Sequence, residues 1–123
     1  MGGGCGSYFY WELGYSFIRM AVHAEISIVT ISKRGDTSMS NEVAAAFNAI
    51  RKVQGIKATL TALGTQVEAD SIDDLLTAVK AAHAAAKAAG AERVISTIRI
   101  DERLDKAQTL EDKVRSVERK LQQ

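Results

Sequence analysis

Along residues 24–31, AEISIVTI, Ala24, Ile26 and Ile28 alternate with Glu25 and Ser27. That two-residue period, rich in β-branched side chains, predicts a half-buried strand. The turn-like stretch KRGDTSMS follows, and Ser38 or Ser40 is placed to cap a helix whose apolar positions Val43, Phe47 and Ile50 recur at i, i+4 and i+7. Gly55 closes that helix or the loop after it. Alternation resumes in IKATLTA, breaks at Gly64 and continues in TQVEA. Two strands so close in sequence are antiparallel, as a hairpin or a bent pair. Ser71 with Asp74 has the form of a capping box and opens SIDDLLTAVKAAHAAAKAAGA. In that alanine-rich helix Ile72, Leu75, Leu76, Val79 and Ala86 make an apolar stripe, and Gly90 is the stop. RVISTIRID, residues 93–101, sets Val94, Ile98 and Ile100 against Arg93, Thr97, Arg99 and Asp101 as another strand. A final helix carries Leu110, Val114, Val117 and Leu121 at helical spacing among charges of both signs.

Strand, helix, strand, strand, helix, strand, then one more helix is the βαββαβ order of a ferredoxin-like α+β fold, an antiparallel sheet with two helices on one face and an extra C-terminal helix. The strand positions Ile26, Ile28, Ile56, Leu60, Val67, Val94, Ile98 and Ile100 then belong to the helix-covered side. The opposite side carries Glu25, Ser27, Thr59, Thr61, Gln66, Glu68, Thr97, Arg99 and Asp101. An antiparallel sheet can leave such a face in water. The apolar stripe of the last helix has no place in a two-helix layer, which points to packing on a second copy of the chain. Hydroxyls, carboxylates and an arginine on the open face suit a small polar ligand held between sheet and partner.

The first twenty residues, MGGGCGSYFYWELGYSFIRM, hold six of the seven aromatics. Glu12 and Gly14 interrupt the apolar run and Arg19 comes last, so the stretch is neither a secretory signal nor a membrane span. Residues 1–19 are expected to be a leader outside the domain, which then occupies 20–123. Sixteen basic and fifteen acidic side chains provide no net field for nucleic acid or an anionic membrane. The one cysteine, Cys5, permits no internal disulfide, consistent with a cytoplasmic protein. His23 and His83 have no ligand-type neighbours at metal-binding spacing. No nucleophile, base and orienting group can be assembled, so no enzyme and no cofactor are expected. Hydroxyls in GDTSMS lie near a helix start, where an anion can bind, although ordinary capping accounts for them. The charge-alternating DERLDK, 101–106, reads as a solvated, salt-bridged turn. What remains is binding, with the Leu63-Gly64-Thr65 kink lining a small-molecule pocket and Gly64 admitting a close backbone approach.

AEISIV, TSMS before the first helix, LTALGTQVEAD, KAAH and RVISTIRIDERLDKAQTLEDKVRSVERKL together resemble the thiamine-binding protein family, from Met20 to Leu121. The resemblance implies a ferredoxin-like homotetramer, a dimer of dimers with sheets facing each other. It also implies non-catalytic binding of thiamine or its hydroxymethylpyrimidine moiety on the open sheet face at a subunit interface. An oligomeric structural or regulatory module without that ligand is the alternative. Glu25 or Asp101 is placed to offset a thiazolium charge, and Ser27, Thr61 and Thr97 to hydrogen-bond an aminopyrimidine. Ser38, Leu63, Gly64 and Thr65 complete the candidate set. Where the family has Pro-Met-Gly-Thr this chain has Ala62-Leu63-Gly64-Thr65, and where it has Val-Pro this chain has Val29-Thr30. Both changes loosen segments near the expected pocket.

Overall fold

The computed structural model describes residues 8–11, 16–19, 21–32 and 37–123, the first two segments for their backbone alone. β1 (Tyr8–Trp11) and β2 (Ser16–Arg19) form a separate antiparallel ribbon in which Tyr8 pairs with Arg19 and Trp11 with Ser16. The rest of the expected leader, including Cys5, lies outside the described residues.

The remaining elements are β3 (Val22–Ile31), α1 (Ser40–Arg51), β4 (Ile56–Leu60), β5 (Thr65–Ala69), α2 (Ile72–Ala88), β6 (Arg93–Glu102) and α3 (Leu110–Leu121). Their sheet runs β4-β5-β3-β6 with every neighbour antiparallel, the ferredoxin-like arrangement expected from the element order. Register fixes the faces, since side chains alternate along each strand. Val22, Ala24 and Ile26 stand beside Ala69, Val67 and Thr65 on one flank, and beside Glu102, Ile100 and Ile98 on the other. This face meets α1 and α2, and the core is Val22, Ile26, Val67 and Ala69 against Ala46, Ile50, Leu75, Ala78 and Ala82. Each fully buried Ile, Leu or Val there contributes about 1.5 to 3 kcal/mol relative to exposure.

Three sequence expectations need correction. In α2 the buried stripe is Leu75, Ala78, Ala82 and Ala86, while Ile72 and Leu76 face solvent. The periodicity is right and the rotation is wrong, because small alanines let the helix settle close to the sheet and the larger side chains are turned outward. Neither Ser38 nor Ser40 is the N-cap residue of α1, although the Ser38 hydroxyl accepts the Ser40 N–H at 3.4 Å. Met39 is the N-cap residue with no side-chain cap bond, and the Ser38 and Ser40 hydroxyls lie 3.2 Å from each other. The Met39 sulfur instead accepts the Thr30 N–H at 3.2 Å, tying the helix entry to β3. Finally, the open face is not polar throughout. Val29 pairs with Ile95 and Ile31 with Arg93, so Val29, Ile31 and Ile95 make an exposed apolar end.

The helix starts of α2 and α3 follow the sequence closely. The Ser71 hydroxyl accepts the Asp74 N–H at 3.1 Å, and Thr109 and Asp112 form a reciprocal capping box at 3.0 Å in both directions. Gly55 has φ +82°, and a side chain there would collide with the Asp74 carboxylate, so this turn requires glycine. Arg103 and Asp105 form the expected ion pair of the 101–106 turn at 2.5 Å.

Candidate functional site

β5 pairs with β3 only as far as Ile26, which stands opposite Thr65. Beyond that point the chain of β4 and β5 turns away through residues 61–64. The turn is closed by the Thr61 N–H and hydroxyl, both donating to the Gly64 carbonyl, at 2.9 and 2.6 Å. β3 continues alone on this flank past the turn, and α1 crosses above it. The three pieces enclose a cavity of about 230 Å³ lined by Ser27, Met39, Val43, Thr61, Leu63 and Thr65 among others. Its walls are mainly apolar, with hydroxyls at Ser27, Thr61 and Thr65. Gly64 forms part of the wall and has no left-handed backbone. A Cβ on it would lie 3.1 Å from the Ile26 carbonyl oxygen and 3.2 Å from Glu25 Cγ. Close approach, not an unusual φ, is therefore why glycine stands at 64.

A second cavity of about 510 Å³ lies on the open face beneath the start of α3, lined by His23, Glu25, Gln66, Arg99, Asp101 and Lys113 among others. α3 reaches the sheet through charge. Glu68 Oε1 accepts the Leu110 N–H at 2.6 Å, Lys113 pairs with Asp101 at 2.6 Å, and Lys57 pairs with Glu111 at 2.8 Å. The Lys113 ammonium, hydrogen-bonded to Asp101, holds that carboxyl below its ordinary pKa. His23 is covered to 5% exposure and its Nε2 has no hydrogen-bond partner. Burial first, then the Lys113 charge, pushes its pKa down, while Glu68, the Gln108 backbone and Asp101 pull the other way.

The expected site residues divide between these places. Ser27, Thr61, Leu63, Gly64 and Thr65 meet in the hairpin pocket. Glu25 and Asp101 line the cleft under α3, with the Glu25 side chain also packed toward Gly64. Thr97 is exposed beside Ser27 and lines neither cavity, and Ser38 is exposed before α1. Sequence reasoning missed Met39, Val43, His23 and Lys113. Met39 lies inside the TSMS stretch singled out above, and His23 continues the alternation of Glu25 and Ser27. The depth of each depends on long-range packing that no local pattern carries. The Nδ1 of His83 lies 2.7 Å from the Ser96 hydroxyl. Among the described residues no cluster of three or more His, Cys, Asp or Glu side chains is placed to hold a metal, and no helix is long and apolar enough to cross a membrane.

These features define a small ferredoxin-like domain with a mainly apolar cavity beside the half of β3 that β5 does not cover. Residues 24–118 match the model of the thiamine-binding protein family, and the chain belongs to that family. It is 40% identical over 100 residues to a UPF0045 protein of Methanothermobacter thermautotrophicus, covering 81% of this chain and 99% of the relative. The crystal structure of MJ1052, a UPF0045 protein of Methanocaldococcus jannaschii, superposes with a TM-score of 0.72 at 34% identity, covering 80% of this chain and 97% of that one. A candidate thiamine biosynthesis/salvage protein of Thermotoga maritima, TM0486, shares the fold with a TM-score of 0.64 at 22% identity, over 79% of this chain and 98% of that one.

Proposed function

We propose that this chain is a non-catalytic binding protein for thiamine or its hydroxymethylpyrimidine moiety, with the ligand in the hairpin pocket. The observation that carries this reading is the make-up of that pocket. Apolar walls from Met39, Val43 and Leu63 suit a flat ring, and the hydroxyls of Ser27, Thr61 and Thr65 offer a few polar contacts to orient it. Glu25, packed toward Gly64, supplies a carboxylate for a thiazolium cation. Membership of the thiamine-binding family supports the ligand class. Binding without reaction is favoured because the hydroxyls of the pocket have no imidazole beside them. His23 lies under α3 and His83 is engaged with Ser96.

The same reading includes self-association, as a dimer of dimers, with neither nucleic acid nor membrane as partner. It is supported by two apolar surfaces left open on the single chain. One is Val29, Ile31 and Ile95 on the sheet, and the other is Val114, Val117 and Leu121 on α3.

Isothermal titration with thiamine and with hydroxymethylpyrimidine tests the proposal, using the full chain, Gly64→Val and the milder Ser27→Val. The expected result is saturable binding that weakens about tenfold or more in Gly64→Val and less in Ser27→Val. Absence of saturable heat at millimolar ligand, or unchanged affinity in both folded variants, contradicts it.

A further inference from the structure

β3 is a central strand only along its first half, and its backbone shows which groups lose a partner afterward. The Ile26 carbonyl oxygen is directed to the β5 side, where it lies beside Gly64. The Thr30 N–H is directed to the same side, where it meets Met39 Sδ. The Ile31 carbonyl, of opposite parity, accepts the Glu92 N–H across the β6 flank. Main-chain polar groups alternate sides from one residue to the next, so Ile28, midway between Ile26 and Thr30, directs both its N–H and its C=O to the β5 side. β5 ends at Thr65, opposite Ile26, and among the described residues none pairs with Ile28 on that flank. A donor and an acceptor of one residue are thus left together on the wall of the hairpin pocket.

Unpaired main-chain groups in a largely apolar enclosure are costly unless something satisfies them. We infer that the Ile28 main chain is the reading element of this pocket, and that it selects a flat heteroaromatic ring carrying an amino group beside a ring nitrogen. Such an edge presents one acceptor and one donor in a plane, the complement of what a neighbouring strand residue would have offered Ile28. The ring nitrogen accepts the Ile28 N–H, and the amino group donates to the Ile28 carbonyl. Met39 and Val43 from α1 and Leu63 from the turn supply the apolar surfaces around the ring. This inference rests on the proposed function and adds which atoms discriminate among pyrimidines.

The test pairs a ligand series with amide exchange on the full chain. The ligands are hydroxymethylpyrimidine, its analogue lacking the amino group, and its N,N-dimethyl analogue. Both altered ligands are expected to bind about tenfold or more weakly, the loss of one well-made buried hydrogen bond. The Ile28 amide, exchanging freely without ligand, is expected to slow about tenfold or more at saturation. If hydroxymethylpyrimidine binds while the analogue lacking the amino group binds equally well, or Ile28 exchange is unchanged at saturation, the reading by Ile28 is overturned and the binding function stands. If none of the three binds, the reading by Ile28 is overturned, and if thiamine does not bind either, the binding function is overturned with it.

Discussion

Thr30 shows how much can follow from the direction of one N–H. The Thr30 N–H goes to the Met39 sulfur and not into the sheet. A Thr30→Pro change therefore removes no ladder bond and lowers the entropy of the unfolded chain. We expect stability to change by less than about 1 kcal/mol in urea unfolding. Val29→Pro, one residue away and opposite Ile95, removes a donor on the β6 side and is expected to cost several times more. Equal effects of the two substitutions would contradict the assigned parity. His23 has a pH signature. Its pKa is lowered in the folded state by burial and then by Lys113, so between that value and about 6.5 the unfolded chain binds more protons. Stability accordingly rises with pH across this window and is lost on acidification through it. Urea midpoints between pH 5.5 and 7.5 are expected to fall on the acid side, and to fall less in His23→Gln. At this scale Gly64 was legible in the sequence as a special position, but its reason was not. The need for glycine comes from Ile26 and Glu25, nearly forty residues earlier, and only the folded register brings them to it.

Among the elements, α3 differs most from the rest. Its amphipathic stripe is plain in the sequence, yet it has no buried residue. Three polar contacts, Glu68 with Leu110, Lys113 with Asp101 and Lys57 with Glu111, connect it to the sheet. The two ion pairs are exposed and contribute little, whereas Glu68 is 4% exposed and accepts a main-chain N–H. Glu68→Ala is expected to cost about 2 kcal/mol and to speed amide exchange in the first turn of α3 well before β3 is affected. Exchange that remains slow at Leu110 would show that other contacts hold the helix. α1 and α2 were legible as elements because their apolar period is local, although only the cap of α2 was placed correctly. Which side of α2 is buried was not, because the choice between Leu76 and Ala78 depends on the distance to the sheet.

For the whole molecule, element order led directly to the ferredoxin-like topology, since two βαβ units with a central hairpin leave few ways to complete one sheet. The site was legible only as a set of residue types. Five of the nine named residues meet in the hairpin pocket. Thr97 does not, because an alternating strand pattern tells the face of a side chain and not its position along the sheet, and Ser38 is exposed before α1. Val117→Glu with Leu121→Glu is expected to lower the assembly state in sedimentation velocity, with an unchanged circular dichroism spectrum. An assembly indifferent to both charges would remove α3 from the interface. The central claim is that a pyrimidine ligand occupies the pocket between Ile28, α1 and the 61–64 turn. The most direct measurement is a titration of the isotope-labelled chain with hydroxymethylpyrimidine, followed by amide and methyl resonances. The account predicts saturable shifts concentrated at Ile28, Met39, Val43 and residues 61–65. Shifts concentrated instead at His23, Arg99 and Lys113, or no saturable shift anywhere, would contradict it.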